Sequence, residues 1–173
     1  MRIITLQVTK VNEILLLSHY IMREFFVQRK IYMATVKTYS ALVNEINKRV
    51  TTSVQNVAKI VCDKLRECID EQYYHDPGFY PNIYKRTETF LNSATYEMLG
   101  KDSARVGIDA TNMHYKNGFS ARQVVDWAKE SMHGAPIYQT DTEPFWNVFI
   151  EWADENVPKL LKSELKKNGL NVR

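Results

Sequence analysis

EQYYHDPGFYPNIYKRTETFLN, running from Glu71 to Asn92, divides the chain into two regimes. Upstream of it, apolar residues recur at helical spacing. Downstream they alternate in short runs. Pro77 and Pro81 fix φ and push the residues before them towards extended geometry, so a helix entering this stretch stops near His75-Asp76. Asp76-Pro77-Gly78 is a turn with a mechanism, since proline presets the first corner and glycine accepts positive φ. Tyr73, Tyr74, Phe79, Tyr80 and Tyr84 crowd the same stretch. Tyrosine is large and stiff with a polar tip, which suits a linker pinned onto another surface. Lys85-Arg86 follows, and Arg86 reads as structural or interfacial, able to stack on Tyr84 or pair with a carboxylate or carbonyl.

Upstream, Thr38 to Tyr74 reads as one helix. Leu42, Ile46, Val50, Val54, Val57, Val61, Leu65, Cys68 and Ile69 recur with a mean step of about 3.7 residues. A strict 3.5-residue repeat would supercoil the helix; this pattern gives a nearly straight helix with one apolar stripe, about 55 Å long if unbroken. The β-branched run Val50-Thr51-Thr52 is its weakest point. Lys59/Asp63 and Arg66/Asp70 add small i,i+4 support. A sheet of three strands spans about 15 Å and covers only part of such a stripe. The half from Leu42 to Val54, furthest from the tyrosine stretch, is expected to stay uncovered and to meet another chain. The candidate interface is therefore Leu42, Ile46, Val50 and Val54, together with Tyr80, Tyr84, Lys85 and Arg86 of the loop.

Further upstream, residues 1–7 read as a short strand or a frayed end, and Val8 to Val27 as a helix. Its uninterrupted apolar run, Ile14 to Leu17, is too short for a membrane span, and no small-residue cleavage site marks a signal peptide. Residues 1–32 carry five Lys/Arg against two Asp/Glu, whereas residues 33–173 carry eighteen of each. Two readings of residues 1–32 follow: a docking helix, or an N-terminal extension ahead of a functional start at Met33. Residues 33–173 form one domain, expected to fold without the extension.

Downstream, Thr87 to Met98 reads as extended, Leu99 to Asp102 as a turn, and Ser103 to Asp109 as a strand with Ala104, Val106 and Ile108 on its buried face. Met113-His114-Tyr115 is a candidate third strand. Ser120 caps a helix to about His133, and Pro136 to Thr140 is a loop or short strand. Asp141 or Thr142 starts a last helix, with Pro144 in its first turn, a kink or restart at Pro158 and a stop at Gly169. The fold class is α+β: a long N-terminal helix, a small antiparallel sheet and two further helices on the C-terminal side.

The chemistry is sparse. The near-neutral body argues against a nucleic-acid face built on bulk charge. Cys62 and Cys68 stand about 9 Å apart in helical rise, too far for a disulfide. His19, His75, His114 and His133 lack ligand spacing, and no nucleophile elbow, P-loop or HExxH is present, so no catalytic, metal or cofactor residues are assigned. His75-Asp76 reads more simply as a helix end than as a catalytic pair. Lys159, Lys162, Lys166 and Lys167 read as a solvated face near a helix C-terminus.

Tyr73-Tyr74, then Tyr80-Pro81-Asn82-Ile83-Tyr84-Lys85-Arg86-Thr87 and Phe90-Leu91-Asn92, set after a long amphipathic helix, resemble the neck and minor-tail (tail-completion) protein family of long-tailed double-stranded DNA phages. Met132-His133-Gly134 and Pro144-Phe145-Trp146 resemble the versions from phages of low-GC Gram-positive hosts. The resemblance runs from Met33 to the C-terminus. Many members carry glycine after the Arg-Thr pair, where this chain has Glu88. The resemblance implies a non-enzymatic virion protein, a ring subunit at the head–tail junction assembled in the host cytoplasm. Its implied neighbours are a head-completion or connector protein and a tail-terminator protein, and DNA would pass through the ring without specific binding. Two other readings stay open. One is a small nucleic-acid-binding protein using Tyr80, Tyr84, Lys85, Arg86 and the terminal lysines; the other is a hydrolase around His75 and Asp76.

Overall fold

The computed structural model describes residues 4–7, 38–75, 88–111, 113, 115, 118–133, 138–139 and 143–172. The expected helix at Val8 to Val27 and the interior of the tyrosine loop, residues 76–87, lie outside these.

Helix α1 spans Tyr39–Ile69 and continues as a π-helical turn over Asp70–Tyr74. Thr38 caps its N-terminus, its hydroxyl accepting from the Ala41 amide at 3.2 Å. The β-branched run does not break it. Thr52 and Ser53 each donate their hydroxyl to the carbonyl four residues back, so their side chains sit within the helix rather than compete with it. The π turn closes where the His75 amide donates to the Asp70 carbonyl at 2.9 Å.

The sheet has the order β1-β3-β2, built from β1 (Ile4–Gln7), β2 (Ala94–Met98) and β3 (Ser103–Ile108), with both pairings antiparallel. Ala94, Ala104 and Val106 are buried on the face against α1. On the other face Glu97 and Arg105, directly opposite in the register, form a cross-strand ion pair at 3.0 Å in an exposed setting. The hairpin thus has the one wet face that its alternation predicts.

Helix α2 (Ala121–Ala128) opens on a capping box, with Ser120 and Gln123 bonding reciprocally. A two-stranded ribbon, β4 (Met132–His133) and β5 (Tyr138–Gln139), follows. Helix α3 (Phe145–Lys167) then packs antiparallel along α1. It ends in a Schellman motif, in which Leu170 donates to the Leu165 carbonyl and Gly169 to that of Lys166. Gly169 has φ +80°, the left-handed conformation that favours glycine, and the end of the Arg49 side chain lies close over it.

Several boundaries differ from the sequence expectation, each for a local reason. Thr87 to Met98 is not continuously extended. Residues Leu91–Ser93 form a 3-10 turn, stabilised as Asn92 Nδ2 donates to the Glu88 carbonyl and Ser93 Oγ to that of Phe90. The third strand is β1, not Met113 to Tyr115. The Asp109 carboxylate accepts from the Thr111 amide at 2.8 Å, an Asx turn that deflects the chain as β3 ends. Helix α2 ends at Ala128 rather than His133, because Ser131 adopts φ 55° and turns the chain into β4. Pro144 lies before α3, not within its first turn; its ψ of 127° is extended, and the helix begins at Phe145. At Pro158 the helix runs through, and both Pro158 and Asp154, whose carbonyl loses its bond, face solvent. Trp152 lies at the α1–α3 contact, with Lys64 Nζ 6.0 Å from its ring centre.

The core is built on α1. Val54, Val57, Ala58, Val61, Leu65, Cys68 and Ile69 are buried between the sheet and α3, with Phe145 and Phe149 filling the α3 side. Leu65→Ala is expected to cost about 3 kcal/mol of unfolding free energy, measured by urea denaturation. Val54→Asp buries an unpaired carboxylate and is expected to abolish the cooperative transition.

Candidate assembly surface

Two clusters fix α1 against its partners, and the part of α1 beyond them is the candidate surface.

The first cluster clamps the stems of the tyrosine loop. Tyr73 is buried and Tyr74 half-buried. Tyr73 packs edge-on against both Tyr74 (5.5 Å between centroids) and Phe90 (5.2 Å), and Phe90 against Phe145 (5.7 Å). The Tyr74 hydroxyl accepts from the Leu91 amide at 3.3 Å. The entering and leaving strands of the loop are thus held together and fastened to the start of α3. Each edge-to-face pair contributes about 1 kcal/mol beyond its buried area. The π turn sets the angle at which both tyrosines leave α1.

Glu88 begins the return from the loop and adopts φ 55°, the left-handed conformation that glycine tolerates best. This is the position at which Glu88 departs from the glycine of the resembled family. The carbonyl of Glu88 accepts from both the backbone and side-chain nitrogens of Asn92, at 3.0 and 3.1 Å, so the left-handed turn is held by its own bonds.

The second cluster is polar and ties the far end of α3 to α1. Arg49 reaches the Asn168 carbonyl at 3.2 Å while its Nε bonds Glu45 at 2.9 Å. The Asn168 amide donates to the Ser53 hydroxyl at 2.9 Å, and the Asn56 amide to Glu164 at 2.9 Å. Glu164 is only 9% exposed and also receives Lys167 at 3.1 Å. The hydrogen bond from Asn56, then that from Lys167, holds its carboxyl below the usual glutamate range, against the cost of burial. The C-terminus of α3 is therefore locked at the level of Arg49 to Asn56. Thr51 donates to the Lys101 carbonyl at 2.7 Å, which fixes the β2–β3 turn at the same level.

Among the described residues, Tyr39 to Lys48 continues beyond these fastening points, ten residues or about 15 Å, with Glu45 and Lys48 still beside Lys167, Asn168 and Gly169 at the end of α3. Tyr39 is 62% exposed, and Leu42 and Ile46 are half-buried without belonging to the core of the described residues. Val50 packs at the edge of that core. Val54 is 2% exposed and lies inside it. This corrects the sequence assignment of Val54 to an interface, because a partner could reach it only by opening the domain. The surface part of the stripe is Leu42, Ile46 and the rim at Val50. Tyr80, Tyr84, Lys85 and Arg86 lie outside the described residues.

Elsewhere the geometry favours packing over chemistry. The His75 ring is exposed and lies 3.2 Å from the carboxylate of Asp70, across the π turn, rather than in a pocket. Cys62 and Cys68 are free and buried, and burial raises both thiols, that of Cys68 to about 11. Lys159 and Lys167 bond Glu155 and Glu164 on their own helix. Among the described residues no group of His, Cys, Asp and Glu is disposed to hold a metal ion, and no helix is long and apolar enough to cross a membrane. The polar cluster has no signal in the sequence beyond the Gly169 stop, since Arg49 and Asn168 meet only through the antiparallel packing of two distant helices.

Two outcomes test these clusters. Glu88→Gly is expected to raise stability by about 0.5–1 kcal/mol, read as a higher thermal midpoint, because the left-handed strain it removes exceeds the added chain entropy. Glu164 is held ionised in the fold, so its contribution is complete above the ordinary glutamate pKa of about 4.3 and is lost as pH falls through the lower folded value. Wild type is expected to exceed Glu164→Gln in urea midpoint at neutral pH, and the gap is expected to close on acidification.

Comparison with known proteins adds one finding. No curated protein and no solved structure matches the chain. The YomN family profile matches residues 38–167, which takes in α1, the β2–β3 hairpin, α2, the small ribbon and α3. The chain belongs to the YomN family.

Proposed function

We propose that this chain is a non-enzymatic structural protein of a phage virion, a subunit of an oligomeric ring at the head–tail connection. The carrying observation is the overhang of α1. The helix continues about 15 Å beyond the points at which α3 and the β2–β3 turn are fastened, and it keeps Leu42 and Ile46 in phase with the core stripe. A four-residue step advances the stripe about 40° past a full turn, so Leu42, Ile46 and Val50 wind from one flank of α1 towards the core. A neighbouring copy seated on that flank would continue the packing that α3 provides further along. YomN is a phage SPbeta-like domain of unclear role, which supports a phage setting. The near-neutral charge of residues 33–173 suits a conduit that DNA traverses without sticking. In this reading a head-completion or connector protein and a tail-terminator protein lie on either side of the ring.

Light scattering on wild type and Ile46→Asp tests the reading. Wild type is expected to form a discrete oligomer at micromolar concentration or above. Ile46→Asp is expected to remain monomeric with an unchanged thermal midpoint, because only the interface must accept the charge. A wild type that stays monomeric at high concentration contradicts the proposal.

A further inference from the structure

We propose that copies of this chain meet head to tail, with the basic half of the α1–α3 pair of one copy seated on the acidic half of the next. The proposal rests on the reading of this chain as a ring subunit and names the two surfaces that face each other in it.

Helices α1 and α3 run side by side in opposite directions. Asn168 meets Arg49 and Ser53, Glu164 meets Asn56, Trp152 lies beside Lys64, and Phe145 reaches Tyr73 through Phe90. One residue of α3 therefore advances per residue of α1, and the charged side chains of both helices fall in order along one axis. Most are paired on their own helix: Arg49 with Glu45, Arg66 with Asp63, Lys64 with Glu67, Lys159 with Glu155 and Lys167 with Glu164. The Asp70 carboxylate faces His75. Eight exposed groups on or beside the two helices form no ion pair with another described residue. Along the axis their order is Lys48, Lys166, Lys162 and Lys59, then Asp154, Glu151, Glu71 and Glu143. Four cations thus occupy one half and four carboxylates the other, with centres about 25 Å apart. On α3, Glu151, Asp154, Lys162 and Lys166 also share one side, within about 120° of arc.

The helix macrodipole accounts for only part of this division. It favours carboxylates towards a helix N-terminus and cations towards its C-terminus, which is the order on α3. On α1 the order is opposite: Lys48 comes first, and Glu71 stands in the closing π turn, where the dipole opposes a carboxylate. Because the helices are antiparallel, their separate arrangements add to one polar surface instead of cancelling.

A surface divided in this way carries its own complement. The match for the basic half is found on the chain itself, which selects a second copy over a partner of another kind. Like halves repel, so charge excludes contacts that place two basic or two acidic halves together. Exposed ion pairs add little affinity and are screened by salt, so their part is orientation and rate of encounter. Affinity comes from the apolar flank described above. Leu42 and Ile46 lie just beyond Lys48 at the outer end of the basic half, so a copy whose acidic half is seated there borders them. Such a contact leaves the other half of each copy free for a further copy, which a closed ring requires.

Charge reversal in two full-length chains tests the contact. Lys48→Glu/Lys162→Glu/Lys166→Glu makes both halves acidic, and Glu71→Lys/Glu151→Lys/Asp154→Lys makes both basic. All six positions are exposed, so thermal midpoints are expected to stay near that of wild type. By light scattering, each reversed chain alone is expected to require roughly tenfold higher concentration than wild type to assemble. Their equimolar mixture is expected to assemble at the wild-type concentration, with both chains in equal amounts. Lys101→Glu/Arg105→Glu/Arg122→Glu carries the same change in net charge on the hairpin and α2 and is expected to assemble as wild type does. Should a reversed chain melt early, the milder Lys48→Gln/Lys162→Gln/Lys166→Gln reads the same contact: its assembly is expected to depend less on salt than that of wild type, and an unchanged dependence overturns the proposal. Reversed chains that assemble normally, or that fail both singly and mixed, overturn the contact and leave the ring standing. Loss of assembly in the hairpin and α2 chain assigns the effect to net charge and overturns it too. A mixture restored only as a two-chain particle shows whole surfaces paired antiparallel and overturns the head-to-tail contact. A wild type that never assembles removes the ring reading itself, and the proposal with it.

Discussion

Burial of one face of α1 between Ser53 and Tyr73 is the condition that every other element meets. The face is too wide for a single partner. Val54, Val57, Val61, Leu65 and Ile69 recur with Ala58, Cys62 and Cys68 beside them, a broad band rather than a narrow seam. The sheet covers one flank of that band and α3 the other. Neither the hairpin nor α3 would be stable alone, since a two-stranded ribbon and a single amphipathic helix are both marginal in water. Their cooperative association through α1 makes one domain of residues that are far apart in sequence.

Burial alone does not set the position of α3 along α1; apolar packing tolerates sliding, and directional bonds remove that freedom. At one end Arg49, Ser53 and Asn56 engage Asn168 and Glu164. At the other, Tyr73, Phe90 and Phe145 interlock edge to face. Among the described residues, these fixed points leave the stretch of α1 from Tyr39 to Lys48 beyond them, in phase with the stripe. The same packing holds the two stems of the tyrosine loop together, so an aromatic loop and an apolar helical overhang sit at opposite ends of one rigid helix.

Much of this architecture was legible in the sequence because it is encoded locally. The 3.7-residue spacing gives α1, the alternation around Ala104 and Val106 gives β3, Ser120 and Gly169 mark helix ends, and the prolines stop α1 after Tyr74. What was not legible is non-local or is held by single hydrogen bonds. β1 joins the sheet from about a hundred residues away. An Asx turn at Asp109 follows β3, and Met113 and Tyr115 lie outside the sheet; Ser131 follows α2 in a left-handed conformation that serine does not advertise. Within the candidate site, periodicity identified the stripe but not where cover begins. Leu42 and Val54 look alike in sequence, and only the reach of α3 and of the β2–β3 turn separates a surface residue from a core one.

Hydrogen exchange along α1, followed as a function of protein concentration, tests this division most directly. The account predicts that amides from Val54 to Ile69 exchange only through global unfolding at every concentration. Those from Val43 to Lys48 are predicted to exchange rapidly in dilute solution and to become protected as the protein assembles. Equal protection of both segments in the dilute monomer, unchanged on concentration, would contradict it.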